Sequence, residues 1–388
     1  MTACDVMSAF VTSGARGFAV TRPTVTKLRR RTLEAGKIDL ASASSEAITA
    51  DPLATGEWDR MVGSHRSATA FHSSVWAKVL TRTYSHKPLY LELAQGGETT
   101  ALLPLMEVSS PFTGRRAVSL PFSDSCPPLT FAGFNARSLV DKLSTLAEEH
   151  KWKYFELRDA PFLRGIAPPA TTFYAHRLDL TGGPNDLPKR FASNIRRNLQ
   201  KAERSGVTVE VTRSREGILA FYNLLARTRR RHGLPPQSQK FFLNIAEHLM
   251  KPGFGFVVLA RRKQRAIAGA VFFIFANNAL YKYGASDERM QEFRANNLVM
   301  WEGIKHLAAS GARSLHFGRT APSNEGLRRF KLAWGAKEEI VEYYRWNRST
   351  RTWSTAQGDL AGRAGGVFRR MPLAVNRLIG TMVYPHLD

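Results

Sequence analysis

Three side chains in the last quarter of the chain have types suited to handling negative charge: Lys331, Arg319 and His316. Lys331 lies in Phe330-Lys331-Leu332-Ala333-Trp334-Gly335-Ala336. An ammonium there could hold a phosphate or neutralise charge that develops in a transition state; the alternative is an exposed helical lysine. Arg319 follows Phe317-Gly318, at the end of a strand, where parallel sheets open ligand crevices. It suits a phosphate or carboxylate, against the alternative of a surface salt bridge. His316, in the same strand, is a candidate general base or a structural histidine.

Around them stand residues suited to binding. Tyr283, Gly284, Ala285 and Ser286 end an aromatic strand in small side chains, which lets backbone approach a ligand. Asn296 and Asn297 read as a helix cap first and ligands second. Trp301 is a core residue or a substrate platform, and Asp124, in the loop after Phe122, is a turn residue or a contact for a substrate amine. Farther back, Arg197, Lys201 and Arg204 recur at i, i+4, i+7 opposite the apolar stripe Ile195, Leu199, Ala202. With Arg196 they form an anion site by pattern, or a solvated helix face.

Other chemistries are excluded. The chain has no Gly-x-Ser-x-Gly elbow, no His-Glu-x-x-His and no Walker loop, and Gly253-Phe254-Gly255 is followed by no third glycine at the dinucleotide spacing. Its two cysteines, Cys4 and Cys126, leave a zinc site or disulfide framework without support and fit a reducing cytoplasm. No metal is expected. The 388 residues carry 56 Lys and Arg against 32 Asp and Glu, a formal charge of +24, which predicts anionic partners: nucleic acid, a phosphorylated donor or an acidic membrane surface. No run of eighteen apolar residues suggests a membrane-spanning helix.

The elements that must position these residues are mixed. Trp58 to Leu80 fits two amphipathic helices; Leu89–Ala94 and Thr100–Val108 read as strands around a Gly96-Gly97 turn. Leu139–His150 reads as a helix, Phe155–Arg158 and Tyr174–Leu180 as strands, and Asn194–Ser205 as a helix. Phe254–Ala260 and Ile267–Phe275 read as the sheet centre. Leu280–Ser286, a helix from Leu298 to Ser310 after an Asn296-Asn297 cap, and Ser314–Phe317 make a βαβ unit, which favours neighbouring parallel strands.

Tyr283-Gly284-Ala285-Ser286, Asn297-Leu298-Val299-Met300-Trp301, Phe317-Gly318-Arg319-Thr320 and the Phe330–Ala336 segment occur in the order seen in FemABX-type transferases. The chain resembles the FemAB-related branch of that family from about Phe71 to Trp346. The resemblance implies an α/β chain of two tandem GNAT-like domains with mixed central sheets. We expect an extension at 1–45, domains at 46–170 and 171–348, and a basic, apolar tail at 349–388. It further implies direct attack of an amine on an activated acyl group, which needs positioning and an oxyanion donor but no covalent nucleophile. Lys331 matches the family's active-site lysine, whereas His316 stands where relatives often carry an aspartate.

The expected function is transfer of an acyl or aminoacyl group to an amine on a cell-envelope, peptidoglycan or exopolysaccharide precursor. Rival readings are an acyl-CoA-dependent enzyme acting on a small molecule and a non-catalytic module binding an anionic polymer or lipid. The donor, not tightly bound, would be aminoacyl-tRNA or acyl-CoA. Asp287 to Asn297, where coenzyme A enzymes usually carry a glycine-rich pyrophosphate loop, holds no glycine. The charge tolerates tRNA, although no RNA-binding module or coiled-coil arm is visible. The expected location is cytoplasmic, with the tail either touching a membrane surface or packed on the domain as a helix.

Overall fold

The structure, a computed structural model, describes residues 46–355 and 365–388. The expected extension 1–45, with Cys4, lies outside the described residues.

The chain opens with β1 (Glu46–Ala50), α1 (Glu57–Ser64) and α2 (Ser74–Tyr84). Short strands follow: β2 (Lys87–Pro88), β3 (Tyr90–Gln95), β4 (Glu98–Leu103), β5 (Met106–Ser110), β6 (Gly114–Ser119) and β7 (Leu129–Thr130). Next come α3 (Ala136–Glu149), β8 (Tyr154–Arg158), β9 (Thr171–Asp179), α4 (Gly183–Asp186), α5 (Ser193–Arg204), β10 (Thr208–Thr212), α6 (Arg215–Arg231) and α7 (Gln239–Ile245). The long strands β11 (Gly255–Arg262), β12 (Arg265–Phe275) and β13 (Asn278–Ser286) lead into α8 (Ala295–Ala309), β14 (Ser314–Thr320), α9 (Glu325–Leu332), β15 (Lys337–Asn347) and β16 (Thr352–Trp353). The chain ends in α10 (Gly365–Arg370) and α11 (Leu373–Val383).

Strands β1, β3, β4 and β7 form a four-stranded sheet. The rest form one twelve-stranded sheet in the order β10-β11-β12-β13-β14-β9-β15-β8-β6-β5-β2, with β16 on β15. The two halves of the chain meet inside this sheet. β15 pairs with β9 through Lys337–Tyr343 and with β8 through Tyr343–Asn347. The expected division between residues 170 and 171 falls just ahead of β9.

Local sequence explains the joints. Gly96 and Gly97 both have positive φ, 61° and 84°, the backbone that a two-residue β3–β4 hairpin demands. The expected single strand Thr100–Val108 is instead two. Pro104 has no N–H to give a ladder, and on either side of it β4 joins the small sheet while β5 joins the large one. Helix α8 begins at Ala295, ahead of the expected Asn296-Asn297 cap, because Arg294 takes a left-handed turn (φ 54°) out of the 3-10 segment Glu288–Phe293. The two asparagines therefore occupy its first turn. β11 lies one strand from the sheet's edge, which β10 forms, so the expected sheet centre is displaced; β14 and β9 occupy it.

Two large cores hold the faces. One joins Phe71, Trp76 and Phe122 of the first half to Phe241, Phe242, Phe273 and Tyr283 of the second. The other, on the opposite face of the second-half strands, packs Leu199, Phe256, Phe272, Leu298, Ile304 and Trp334. Burial of whole aromatic and aliphatic side chains contributes roughly 1.5–3 kcal/mol each, so the shared core helps hold the halves together.

Candidate active site

The site is built on a parting of two strands. β13 and β14 pair in parallel only from Asn278–Leu280 against Ser314–His316. Beyond that point β13 stays with β12, Gly284 facing Ala270 and Ser286 facing Ala268, while β14 bends toward β9, Arg319 facing Ala175. Gly318, at φ +72°, makes the bend, a conformation that side-chain-bearing residues rarely adopt.

Lys331, brought in by α9, closes the floor of this fork. Its buried Nζ donates to the carbonyls of Gly318 (2.8 Å) and Arg319 (3.1 Å). A cleft of about 760 Å³ opens above it, lined by Gly284, Ala285 and Ser286 of β13, by Asn296 and Asn297 of α8, and by Lys331 itself. That volume lies within the usual range for small-molecule and cofactor sites, roughly 300–1,000 Å³. Tyr281 also faces the cleft, its phenol lying over Gly284 so closely that a Cβ there would collide with it. Burial pushes that phenol well above its ordinary pKa, which keeps it a neutral hydrogen-bond donor.

The rim is basic. Arg231 from the end of α6, Arg294 before α8, Arg329 of α9 and Arg369 of α10 all line the cleft. Arg231 reaches Glu288 at 3.6 Å; Arg294, Arg329 and Arg369 form no ion pair among the described residues. The first turn of α8 opens into the same space, adding the positive end of a helix dipole. His232 stands beside Arg231, its pKa lowered to about 4 by burial and by the charges of Arg231, Arg229 and Arg369.

The remaining expected residues lie elsewhere. Arg319 is buried outside the cleft lining, its guanidinium 4.2 Å over the Phe173 ring and 5.0 Å over Tyr343. His316 is buried too; its Nδ1 accepts from the Gly318 amide at 3.1 Å, and burial lowers its pKa to about 3, helped by Arg177. It is a neutral imidazole at working pH. Asp124 comes from the first half to lie beside Gly318, and its Oδ2 accepts from Lys282 Nζ at 2.9 Å. Tyr283 belongs to the core shared by the halves. Trp301 packs edge-on against Phe191 at 5.3 Å. Arg196, Arg197, Lys201 and Arg204 are exposed and line no part of the cleft. Arg196 donates back to the Phe191 carbonyl at 2.9 Å, while α5 presents Asn194, Ile195 and Asn198 to the cleft.

Residues that the sequence did not single out are thus Tyr281, Asn194, Asn198, His232 and the four rim arginines. The i, i+4 spacing of Asn194 and Asn198 was the one local signal; the arginines converge only in space.

Residues 189–332 match the family model described as an acetyltransferase (GNAT) domain. No curated protein matches the chain in sequence. Among solved structures, FemX is similar at a TM-score of 0.62 and 16% identity, the match covering 76% of this chain and 96% of FemX. A tandem GNAT protein from the clavulanic acid biosynthesis pathway matches at a TM-score of 0.52 and 12% identity, covering 79% of this chain and 99% of that one. Residues 189–332 form a GNAT domain of acyltransferase type, within a fold of two GNAT-like units. Over the 76% of the chain that the match covers, the fold is similar to that of FemX, as the FemABX resemblance implied.

Proposed function

We propose that the protein transfers an acyl or aminoacyl group from an anionic donor to an amine on a cell-envelope or exopolysaccharide precursor, with the unit at 171–348 carrying most of the chemistry. One observation carries this reading: the fork between β13 and β14 opens into a cleft with Lys331 at its floor and Arg231, Arg294, Arg329 and Arg369 on its rim. Four guanidinium groups suit the phosphates of a donor. The small residues Gly284, Ala285 and Ser286 let an acyl group lie against the strand, where backbone N–H groups could bind its carbonyl oxygen as the tetrahedral centre forms. The amine attacks the carbonyl carbon, the leaving group departs with the bonding pair, and the amine's proton leaves to solvent or to the departing group. Lys331 would offset the negative charge that grows along this path.

Acyl-CoA is the second reading for the donor, favoured by the family model's own description and by a cleft volume that suits a nucleotide-bearing thioester. Calorimetry on the purified protein with acetyl-CoA, a long-chain acyl-CoA and a charged tRNA, each at two salt concentrations, separates them. Saturable, salt-tolerant binding of one thioester selects acyl-CoA. Charged tRNA binding well above uncharged selects aminoacyl transfer. Equal binding of every polyanion, abolished by salt, would sink both and leave only the +24 charge.

A further inference from the structure

A helix on a protein surface ordinarily turns its apolar stripe inward and its polar residues to water. α11 does the reverse. It buries Asn376 and Gly380, and a Cβ at Gly380 would collide with the Pro236 carbonyl. Both polar atoms of the Asn376 side chain are without a partner among the described residues. Outward it presents Val375, Leu378 and Met382, the last two 55% and 60% exposed. At ~100° per residue these three fall within about 60° of one another. The helix is nonetheless firmly attached: Arg377 donates to Asn223 Oδ1 at 2.8 Å and lies over the Tyr222 ring. Its outer face is therefore a fixed apolar surface.

Two further large apolar side chains are exposed nearby in the chain or in contact with its end. Val367 on α10 is 66% exposed. Phe112, at the tip of the β5–β6 hairpin and 79% exposed, packs edge-on against His386 just beyond α11. A hairpin remote in sequence thus brings an exposed phenylalanine against the segment that follows the C-terminal helix. The exposed charges of residues 365–388 have one sign. Arg369 and Arg370 are exposed, and the only acid between 365 and 388, Asp388, is buried against Arg116 at 2.8 Å.

We propose that this face, made by α10, α11 and Phe112, docks on an anionic lipid surface. Apolar side chains flanked by arginine, with no exposed acid among residues 365–388, match the interfacial zone of an acidic bilayer: the apolar groups enter the acyl boundary and the guanidinium groups meet lipid phosphates. Arg369 belongs both to this segment and to the cleft rim, so docking brings the cleft to the level of the headgroups. The surface does not depend on which donor the cleft takes.

The test is co-sedimentation of the full chain with vesicles of phosphatidylcholine alone and of phosphatidylcholine mixed with phosphatidylglycerol. Wild type should bind the mixed vesicles far better. Leu378→Asp with Met382→Asp should weaken that binding on the order of tenfold or more, with an unchanged melting temperature because both sites are exposed. Phe112→Ser, on a turn remote in sequence from the helix, should weaken it as well, and keeps the test valid if the double variant unfolds. Arg197→Glu with Lys201→Glu, which cuts net charge on another face, should cost less. Equal binding by all variants, lost in salt, would overturn the proposal in favour of charge alone. So would no binding to mixed vesicles, or a wild-type dimer that the double variant splits into monomers, which would assign the face to a second copy.

Discussion

The Nζ of Lys282 on β13 lies 2.9 Å from Oδ2 of Asp124, and the two side chains, from opposite halves of the chain, are almost wholly buried. Removing one partner of a buried ion pair strands the other charge, at a cost of about 3–5 kcal/mol. Asp124→Asn should lose that much in denaturant unfolding, and Asp124→Leu with Lys282→Met should lose less than either single change. A single change costing under roughly 1 kcal/mol would show the pair to be screened, as surface pairs are.

Lys331 has two duties that one substitution should separate. In Lys331→Met the carbonyls of Gly318 and Arg319 lose their donor, which should cost about 1–3 kcal/mol of stability. Turnover should fall by roughly 10²–10³ if the charge acts on the transition state. Steady-state rates beside a melting curve decide it; full turnover in a weakened fold would make the lysine a structural clamp only.

The cleft rim and the α5 stripe make opposite predictions. Arg294→Ala with Arg329→Ala should weaken donor binding on the order of tenfold or more and flatten its salt dependence. Arg197→Glu with Lys201→Glu should change donor affinity by no more than about twofold, since those side chains face solvent. Titration calorimetry with acetyl-CoA, a long-chain acyl-CoA and a charged tRNA checks both; a reversed ranking would move the anion site to α5.

Stability should fall with acid well before the carboxylates titrate. Burial lowers the pKa of His72, His86 and His176 to about 4 and of His316 to about 3, against about 6.5 in an unfolded chain. Below pH 6.5 the unfolded state takes up protons that the folded state refuses. The contribution of each histidine is therefore complete above that pH and is lost progressively down to about pH 4, at up to about 1.4 kcal/mol per pH unit per group. Unfolding free energies measured from pH 7.5 to 4.5 should show this slope, and His72→Gln should reduce it.

What was legible in the sequence was what neighbours in sequence build together. The β13–α8–β14 unit announced itself through an aromatic strand, a helical stripe and small residues at each stop, and the parallel pairing is there. Lys331, Gly284 to Ser286 and the two asparagines meet in one cleft because they lie on successive elements of that unit. What was not legible is convergence over distance. Nothing local marks Lys282 as the partner of an aspartate 158 positions away, or sends Arg231 and Arg369 to the same rim. On α5 the charges drew attention to the solvent face, while the neutral Asn194 and Asn198 on the cleft side carried no signal strong enough to compete. The start of α8 was misplaced because a left-handed arginine is not a position that propensity foresees.

Strand β15 serves both halves, lying against β9 for its first seven residues and against β8 for its last five. A chain cut between the halves would bare two strand edges, each a template for aggregation. The two units are thus welded rather than threaded on a linker: neither can be exchanged for a relative's by recombination unless its partner's edge is recreated at the same register.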